Sequence, residues 1–251
     1  MPRSKRVMSG VQRGIGRVLL LGVALLFQSV PSSGRLDQSS VHATGTQSQS
    51  NRWVRTVTHL ADFGAHTPSP DVRRVVNWIV DSGDNGNLEF VVVDKKFATM
   101  YVFDVHARLR GSSPVLLGAA IGDDTVPGIG SRPIADVRPE ERTTPAGRFL
   151  AERGHNARGE DVVWVDYNAA VSMHRVLRTN PEERRLERLA SVSVADNRVS
   201  WGCINVPVAF YEKTVRPTFA HHRAWVYVLP DVKPLQQVFA SYDSGALAQW
   251  K

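Results

Sequence analysis

The sequence predicts a mostly-β domain with a few short helices. Apolar, β-branched runs of strand length recur from residue 88 onward, turn residues separate them at short intervals, and only three stretches read as helix. Val72, Val75, Val76, Ile79 and Val80 fall at helical spacing, and residues 81–86 end that pattern. Residues 88–93 and 99–103, separated at Lys95-Lys96, read as a β-hairpin. Residues 115–121 are a further strand. The loop at 122–143 contains Gly128 and Gly130, but position 133 is proline and no helix follows, so it is no dinucleotide fingerprint. Residues 149–152, 162–167 and 170–174 give short strands. Asn180-Pro181 opens a helix through Ala190, with Leu186 and Leu189 facing inward. Residues 206–215 form a helix and 224–229 a closing strand. No internal repeat is visible.

The first 34 residues read as an export signal or N-terminal anchor. Arg3, Lys5, Arg6, Arg13 and Arg17 precede an apolar run from Val18 to Phe27, and Pro31-Ser32-Ser33-Gly34 follows. The run is shorter than the roughly 20 apolar residues of a membrane span. Export into a periplasm of the Gram-negative type, with retention at the membrane as a variant, is the expectation. Residues 35–70, rich in Ser, Gln and Thr, read as a flexible linker. Residues 71–251 then form one domain, with its core at about 86–230.

The whole chain carries 31 Lys and Arg against 24 Asp and Glu, and five of the basic residues lie in the first 34. The remainder is therefore nearly neutral, and no basic run with interleaved aromatics points to nucleic acid. The eight histidines include no zinc-binding helical spacing. His221-His222 lacks carboxylate or cysteine company, so no metal and no cofactor is expected, and a monomer is expected.

The single cysteine, Cys203, lies in Ser200-Trp201-Gly202-Cys203-Ile204-Asn205, with Pro207 beyond. It has no internal disulfide partner. In an exported chain that leaves an inert buried thiol, an intermolecular link or a nucleophile. Gly202 permits close backbone approach. Asn205 could cap a helix begun near Pro207, placing the thiol by a helix N-terminus that favours thiolate. A nucleophilic thiol needs a base. His174 ends a strand-like run 29 residues before the cysteine. By periodicity alone it reads first as a strand-edge histidine satisfied by backbone.

The segment from His174 to Asn205 resembles the signature of the L,D-transpeptidase (YkuD-type) catalytic domain: a histidine, a spacer, then Ser/Thr-x-Gly-Cys-apolar-Asn/Arg. Thr144-Pro145-Ala146-Gly147-Arg148-Phe149 is similar to a second motif of that family, Thr-Pro-x-Gly-x-Phe. The resemblance covers about residues 86–230 and implies a β-sandwich with a few short helices. It implies Cys203 as nucleophile and His174 as base, the carbonyl of Arg175 orienting the imidazole, and the amides of Gly202 and Cys203 as an oxyanion hole. Ser200, Trp201, Asn205 and Arg198 are the expected substrate-side residues, with structural pairing the competing role for Arg198 and core packing for Trp201.

The activity implied is acyl transfer on peptidoglycan stem peptides, by cross-linking, D-amino-acid exchange or attachment to a protein amine. A hydrolase on the same fold and a non-catalytic wall-binding module are the alternatives. Trp201 and a longer spacer depart from the commonest family pattern. The added segment, residues 179–199, is expected to stand beside the site as a wall or lid.

Overall fold

The computed structural model describes residues 59–241. The expected export segment, most of the linker and the last ten residues lie outside them. Among the described residues no helix is long and apolar enough to cross a membrane.

Helix α1 (Pro70–Ser82) follows its sequence signals closely. The Ser69 hydroxyl accepts the Val72 N–H, Pro70 occupies the first turn, and Gly83 closes the helix at φ 71°. Its buried face, with Val72, Val75, Val76 and Ile79, packs against one side of the sheet. Packing starts before α1: Phe63 is 5% exposed and Asp62 bridges to Arg108. The folded body therefore takes in the end of the segment expected as linker.

Ten strands follow: β1 (Phe90–Asp94), β2 (Thr99–Phe103), β3 (Leu109–Pro114), β4 (Leu117–Gly118), β5 (Gly147–His155), β6 (Asp161–Asp166), β7 (Val171–Arg175), β8 (Arg198–Ser200), β9 (Ile204–Val206) and β10 (Ala224–Val228). Eight form one sheet in the order β3-β2-β1-β10-β5-β6-β7-β9, and β4 pairs with β8. Every residue of β1 is buried, because both faces of the sheet are covered. Phe90 and Val92 enter the cluster under α1. Val91 and Val93 enter a second cluster that also takes Met173 of β7 and Ile204 of β9. One cluster shared by strands from both halves of the order requires the sheet to curl around it. A bridge between Leu116 and Asn205 joins β9 to the small sheet. The architecture is mostly β with few short helices, as the sequence predicts.

Three elements differ from expectation. The helix from Pro181 is broken. A 3-10 turn (Pro181–Glu183) ends at Arg184 in left-handed geometry, φ 47°, before α2 (Arg185–Ala190). The break resets the phase: Leu189 is buried with Leu116 and Val176, while Leu186 is 45% exposed. The segment expected as helix from 206 begins at Val208 as α3 (Val208–Phe210), continues as a π-helix (Tyr211–Val215) and ends as α4 (Arg216–Thr218). Residues 115–121 contribute only β4 and isolated bridges.

A charged cluster lies inside the fold. Lys95 is 0% exposed, and its Nζ donates to the Gly122 carbonyl (2.6 Å), the Thr144 carbonyl (2.8 Å) and Asp123 Oδ1 (2.9 Å). Asp231 lies 3.4 Å from the same nitrogen and pairs with Arg198. Burial raises the Asp123 carboxyl, but the Lys233 amide, the Lys95 ammonium and the amides of Asp231 and Val232 outweigh it and hold it at about 2. Removing one partner from such a cluster strands the others' charge. Lys95→Met should therefore cost about 3–5 kcal/mol, read as a lowered denaturant midpoint. Because the folded Asp123 value lies below that of the unfolded chain, its contribution is present above pH ~4 and fades as pH falls toward 2. Acid titration of the wild-type protein, followed by circular dichroism, checks that sign.

Candidate active site

The parallel pairing of β7 with β9 builds the site. Met173 aligns with Ile204 and His174 with Asn205, which brings Cys203 level with Ser172. Side chains alternate along a strand, so Ser172 and His174 share one face while Met173 goes to the core. The half-buried Cys203 thus meets both. Ser172 Oγ lies 3.6 Å from Cys203 Sγ. His174 Nδ1 lies 2.7 Å from the Arg175 carbonyl oxygen. A carbonyl only accepts, so Nδ1 carries the proton and Nε2 is the nitrogen left for the thiol.

The two side chains shift each other's titration. Burial raises the Cys203 thiol, but the hydrogen bond and charge of His174, with backbone and side-chain bonds from Ser172, outweigh it and hold the thiol below its ordinary value. Burial likewise pulls His174 down, but the Cys203 hydrogen bond and charge and the Arg175 carbonyl hold it above the usual histidine value, with Arg185 opposing. The two groups titrate as one unit, each favouring the charged form of the other.

The turn that carries the cysteine is fixed from behind. Gly202 sits at φ 125°, and a Cβ there would come within 2.7 Å of the Thr143 carbonyl oxygen. Thr144, fully buried, accepts the Gly118 N–H (2.9 Å) and donates to the Gly202 carbonyl (2.8 Å) through one hydroxyl. Ser200 Oγ donates to the Cys203 carbonyl at 2.6 Å and accepts the Gly202 N–H at 3.1 Å. Ala170, held at φ 54°, presents its carbonyl 3.6 Å from Cys203 Sγ.

Several expected roles are corrected by this geometry. Ser200 is 2% exposed and braces the turn, and it also lines the groove over Cys203. The Gly202 amide, one of the two expected oxyanion donors, is already given to Ser200. Asn205 caps no helix. It lies in β9, fully buried, with its amide on the Cys203 carbonyl and its oxygen taking Arg185, while Pro207 precedes α3 without a side-chain cap. The groups that hold the thiol below its ordinary value are therefore His174 and Ser172 rather than a helix terminus. Arg198 clasps Asp231 through both Nη atoms (2.6 and 3.1 Å) and reaches the Lys95 carbonyl, so its structural role prevails. Trp201 is 37% exposed, with the Arg142 guanidinium 3.5 Å from its ring centre. Arg175, besides its carbonyl, pairs its side chain with Glu212 and Asp161.

A groove of about 400 Å³ opens over the pair. Its lining includes Cys203, His174, Trp201 and Ile134, the turn at Arg158, and Asn180, Glu183 and Arg185 of the added segment. That segment is thus a wall of the groove. Ser172 and Arg185 were not singled out as site residues from the sequence. Ser172 stands two residues before His174, a signal available once the strand is recognised. Arg185 had no sequence signal, since the run Glu182-Glu183-Arg184-Arg185 reads as a solvated helix face. Among the described residues no group of three or more His, Cys, Asp or Glu could hold a metal ion.

No family model and no curated protein matches the chain. Among solved structures it is similar to the helical cell shape determining protein Pgp2 from Campylobacter jejuni, with 14% identity, 68% of this chain, 58% of that chain and a TM-score of 0.40. It is similar to the catalytic domain of an Enterococcus faecium L,D-transpeptidase (16% identity, 57% of this chain, 98% of that domain, TM-score 0.32). An L,D-transpeptidase from Mycobacterium smegmatis gives 16% identity, 56% and 58% coverage and a TM-score of 0.32. The chain spans less than two thirds of the Pgp2 chain.

Thr144→Val keeps the side-chain shape and removes both hydrogen bonds of the hydroxyl. Two buried backbone groups, the Gly118 N–H and the Gly202 carbonyl, lose their partner. The expected loss is about 2–4 kcal/mol, measured by chemical denaturation, with a slower alkylation of Cys203 in the protein that still folds.

Proposed function

We propose that this chain is an exported cysteine acyltransferase of the L,D-transpeptidase type that acts on peptidoglycan stem peptides. The observation that carries the reading is the Cys203–His174 pair, with its thiol held below the ordinary value, at the floor of an open groove. The two sequence motifs support the substrate class, and Thr144 of one motif is bonded directly to Gly202 of the other.

The chemistry follows from the pair. The Cys203 thiolate attacks the carbonyl that joins the L-centre of the third-position diamino acid to D-Ala. Collapse of the tetrahedral adduct forms a thioester, and the leaving amine takes its proton from the His174 imidazolium. An amine acceptor then gives a proton to the now neutral His174 and attacks the thioester, which restores the thiolate. Splitting the exchange through an acyl-enzyme replaces one difficult displacement by two easier ones. The acceptor is a second stem, a free D-amino acid or a protein amine. Water at the second step gives hydrolysis. The intact pair disfavours a purely wall-binding role, since a binder gains nothing from a thiol open to oxidation.

Incubation with a disaccharide-tetrapeptide and a D-amino acid, followed by mass spectrometry, tests the reading. The wild-type protein should show a thioester adduct on Cys203 and an exchanged product. Cys203→Ala should fold and show neither, because the side chains differ little in size. Absence of both from the wild-type protein would count against the assignment.

His174→Ala should leave a sluggish thiol whose pKa returns toward about 8.5. The pH profile of iodoacetamide alkylation reads this directly. In the wild-type protein the rate should stay high well below pH 8, because the thiolate persists at lower pH. In the variant the rising limb should move to higher pH. A limb that does not move would remove His174 from the pair.

A further inference from the structure

Arg198, the arginine expected to read a substrate carboxylate, is spent on Asp231. The groove nevertheless contains a guanidinium, from the first residue of α2. The geometry points to Arg185 as the residue that binds a carboxylate of the donor peptide beside Cys203, so that the groove selects acidic donors; this rests on the acyl-transfer reading.

Four observations carry it. Arg185 lines the same groove as Cys203 and His174. Its guanidinium is held in place at both sides, with Nε on Glu183 and Nη1 on Asn205 Oδ1, and its side chain is only 12% exposed. Asn205 in turn bonds the Cys203 carbonyl at 3.3 Å, so one side chain separates the guanidinium from the backbone of the nucleophile. A guanidinium carries five donors in a planar fork. Nη2 has no protein partner among the described residues, and it belongs to the edge that a carboxylate grips with two parallel bonds. Finally, the charge of Arg185 reaches the reactive pair, since it weighs against the His174 imidazolium.

The groove also contains two carboxylates, and their partners decide the balance. Glu183 is turned to Arg185 Nε, and Glu160 accepts from Asn156 at 2.7 Å. Arg158, exposed and also lining the groove, has no side-chain partner among the described residues. Asn156 is neutral and leaves the Glu160 charge in place, so guanidiniums and carboxylates in the groove balance in number, and Arg185 stands out by its free Nη2 beside Asn205. A stem peptide brings complementary groups, because the residue that leaves after the scissile carbonyl ends in a carboxylate. Pre-positioning by Glu183 and Asn205 lowers the ordering cost of binding it.

The test compares two small reagents on the full chain: anionic iodoacetate and neutral iodoacetamide, each alkylating Cys203. In the wild-type protein the ratio of the two rates should exceed that of a free thiol. In Arg185→Gln the ratio should fall about fivefold, the scale of one part-exposed charge pair, while the iodoacetamide rate changes less. Arg185→Lys should keep most of the ratio. Glu183→Gln should raise it, because the guanidinium loses its neutralising neighbour. Arg110→Gln, on β3 at the far end of the strand order, removes the same net charge and should leave the ratio unchanged.

With peptide donors, the wild-type preference for a C-terminal carboxylate over a C-terminal amide should vanish in Arg185→Gln through a raised KM. A ratio that stays put in both Arg185→Gln and Glu183→Gln overturns the carboxylate site, whether or not peptides are turned over. A wild-type protein with the ratio but without acyl transfer overturns the acyl-transfer reading instead.

Discussion

The site depends on a close passage of backbone against backbone. Residues 142–144 run between two glycines. A Cβ on Gly118 would sit 2.3 Å from the Arg142 carbonyl oxygen, and one on Gly202 would sit 2.7 Å from that of Thr143. No side chain fits at either place, and Gly202 also needs a positive φ. The Thr144 hydroxyl then joins the two glycines, accepting from one and donating to the other. From behind, the buried Lys95 ammonium holds the Thr144 carbonyl. The turn that presents Cys203 is thus positioned through Thr144 by an ionic cluster that never touches the thiol.

This arrangement explains how a strand end can hold a thiol below its ordinary value. The expected device was a helix N-terminus, but β9 intervenes between Cys203 and the first helical residue, Val208. What lowers the thiol instead comes from β7. Ser172 and His174 lie on one strand face, and the parallel register brings both to Cys203. A one-residue slip of that register would turn Met173 toward the thiol and His174 into the core. The core forbids the slip, because Met173, Ile204 and Val206 are fully buried in the large cluster. Ordinary apolar packing therefore fixes the geometry of the reactive pair.

The parts of the fold legible in the sequence are those in which local pattern and tertiary demand agree. Helix α1 is announced by its apolar period and the break at residues 81–86, and it appears there, with Ser69 as its cap and Gly83 closing it. The hairpin of β1 and β2 is announced by two β-branched runs. Strand β3, Leu-Arg-Gly-Ser-Ser-Pro, has almost no apolar content and exists because β2 offers it an edge. Strand β8 is three residues long and is set by Arg198 reaching Asp231. In the candidate site, motif order points to Cys203 and His174, and the structure sets the two side chains together. The duties of their neighbours are not legible in motif order. Ser200, Asn205 and Arg198 are polar residues beside a nucleophile, and such residues face the substrate or hold the loop. Burial and partners show all three holding structure, while Ser200 and Asn205 also line the groove.

Arg185 marks where local reading fails. Eighteen positions before the cysteine, in a run of alternating charge, it has the pattern of a solvated helix face. Two tertiary facts reverse that. Arg184 breaks the helix in left-handed geometry, which sets the phase of α2 anew. Leu189 then anchors the short helix against Leu116 and Val176, and the first residue of α2 is carried onto the buried Asn205. The charge delivered there opposes the imidazolium, while the thiolate favours it. The protonation of His174 is accordingly a balance of burial and Arg185, which oppose it, against Cys203 and the Arg175 carbonyl, which favour it. A positive charge there favours the thiolate form of Cys203 and disfavours the imidazolium of His174, and Glu183 takes up part of it. The added segment thus brings both the cation and the anion that tempers it, and the groove wall is also part of the electrostatics of the reactive pair.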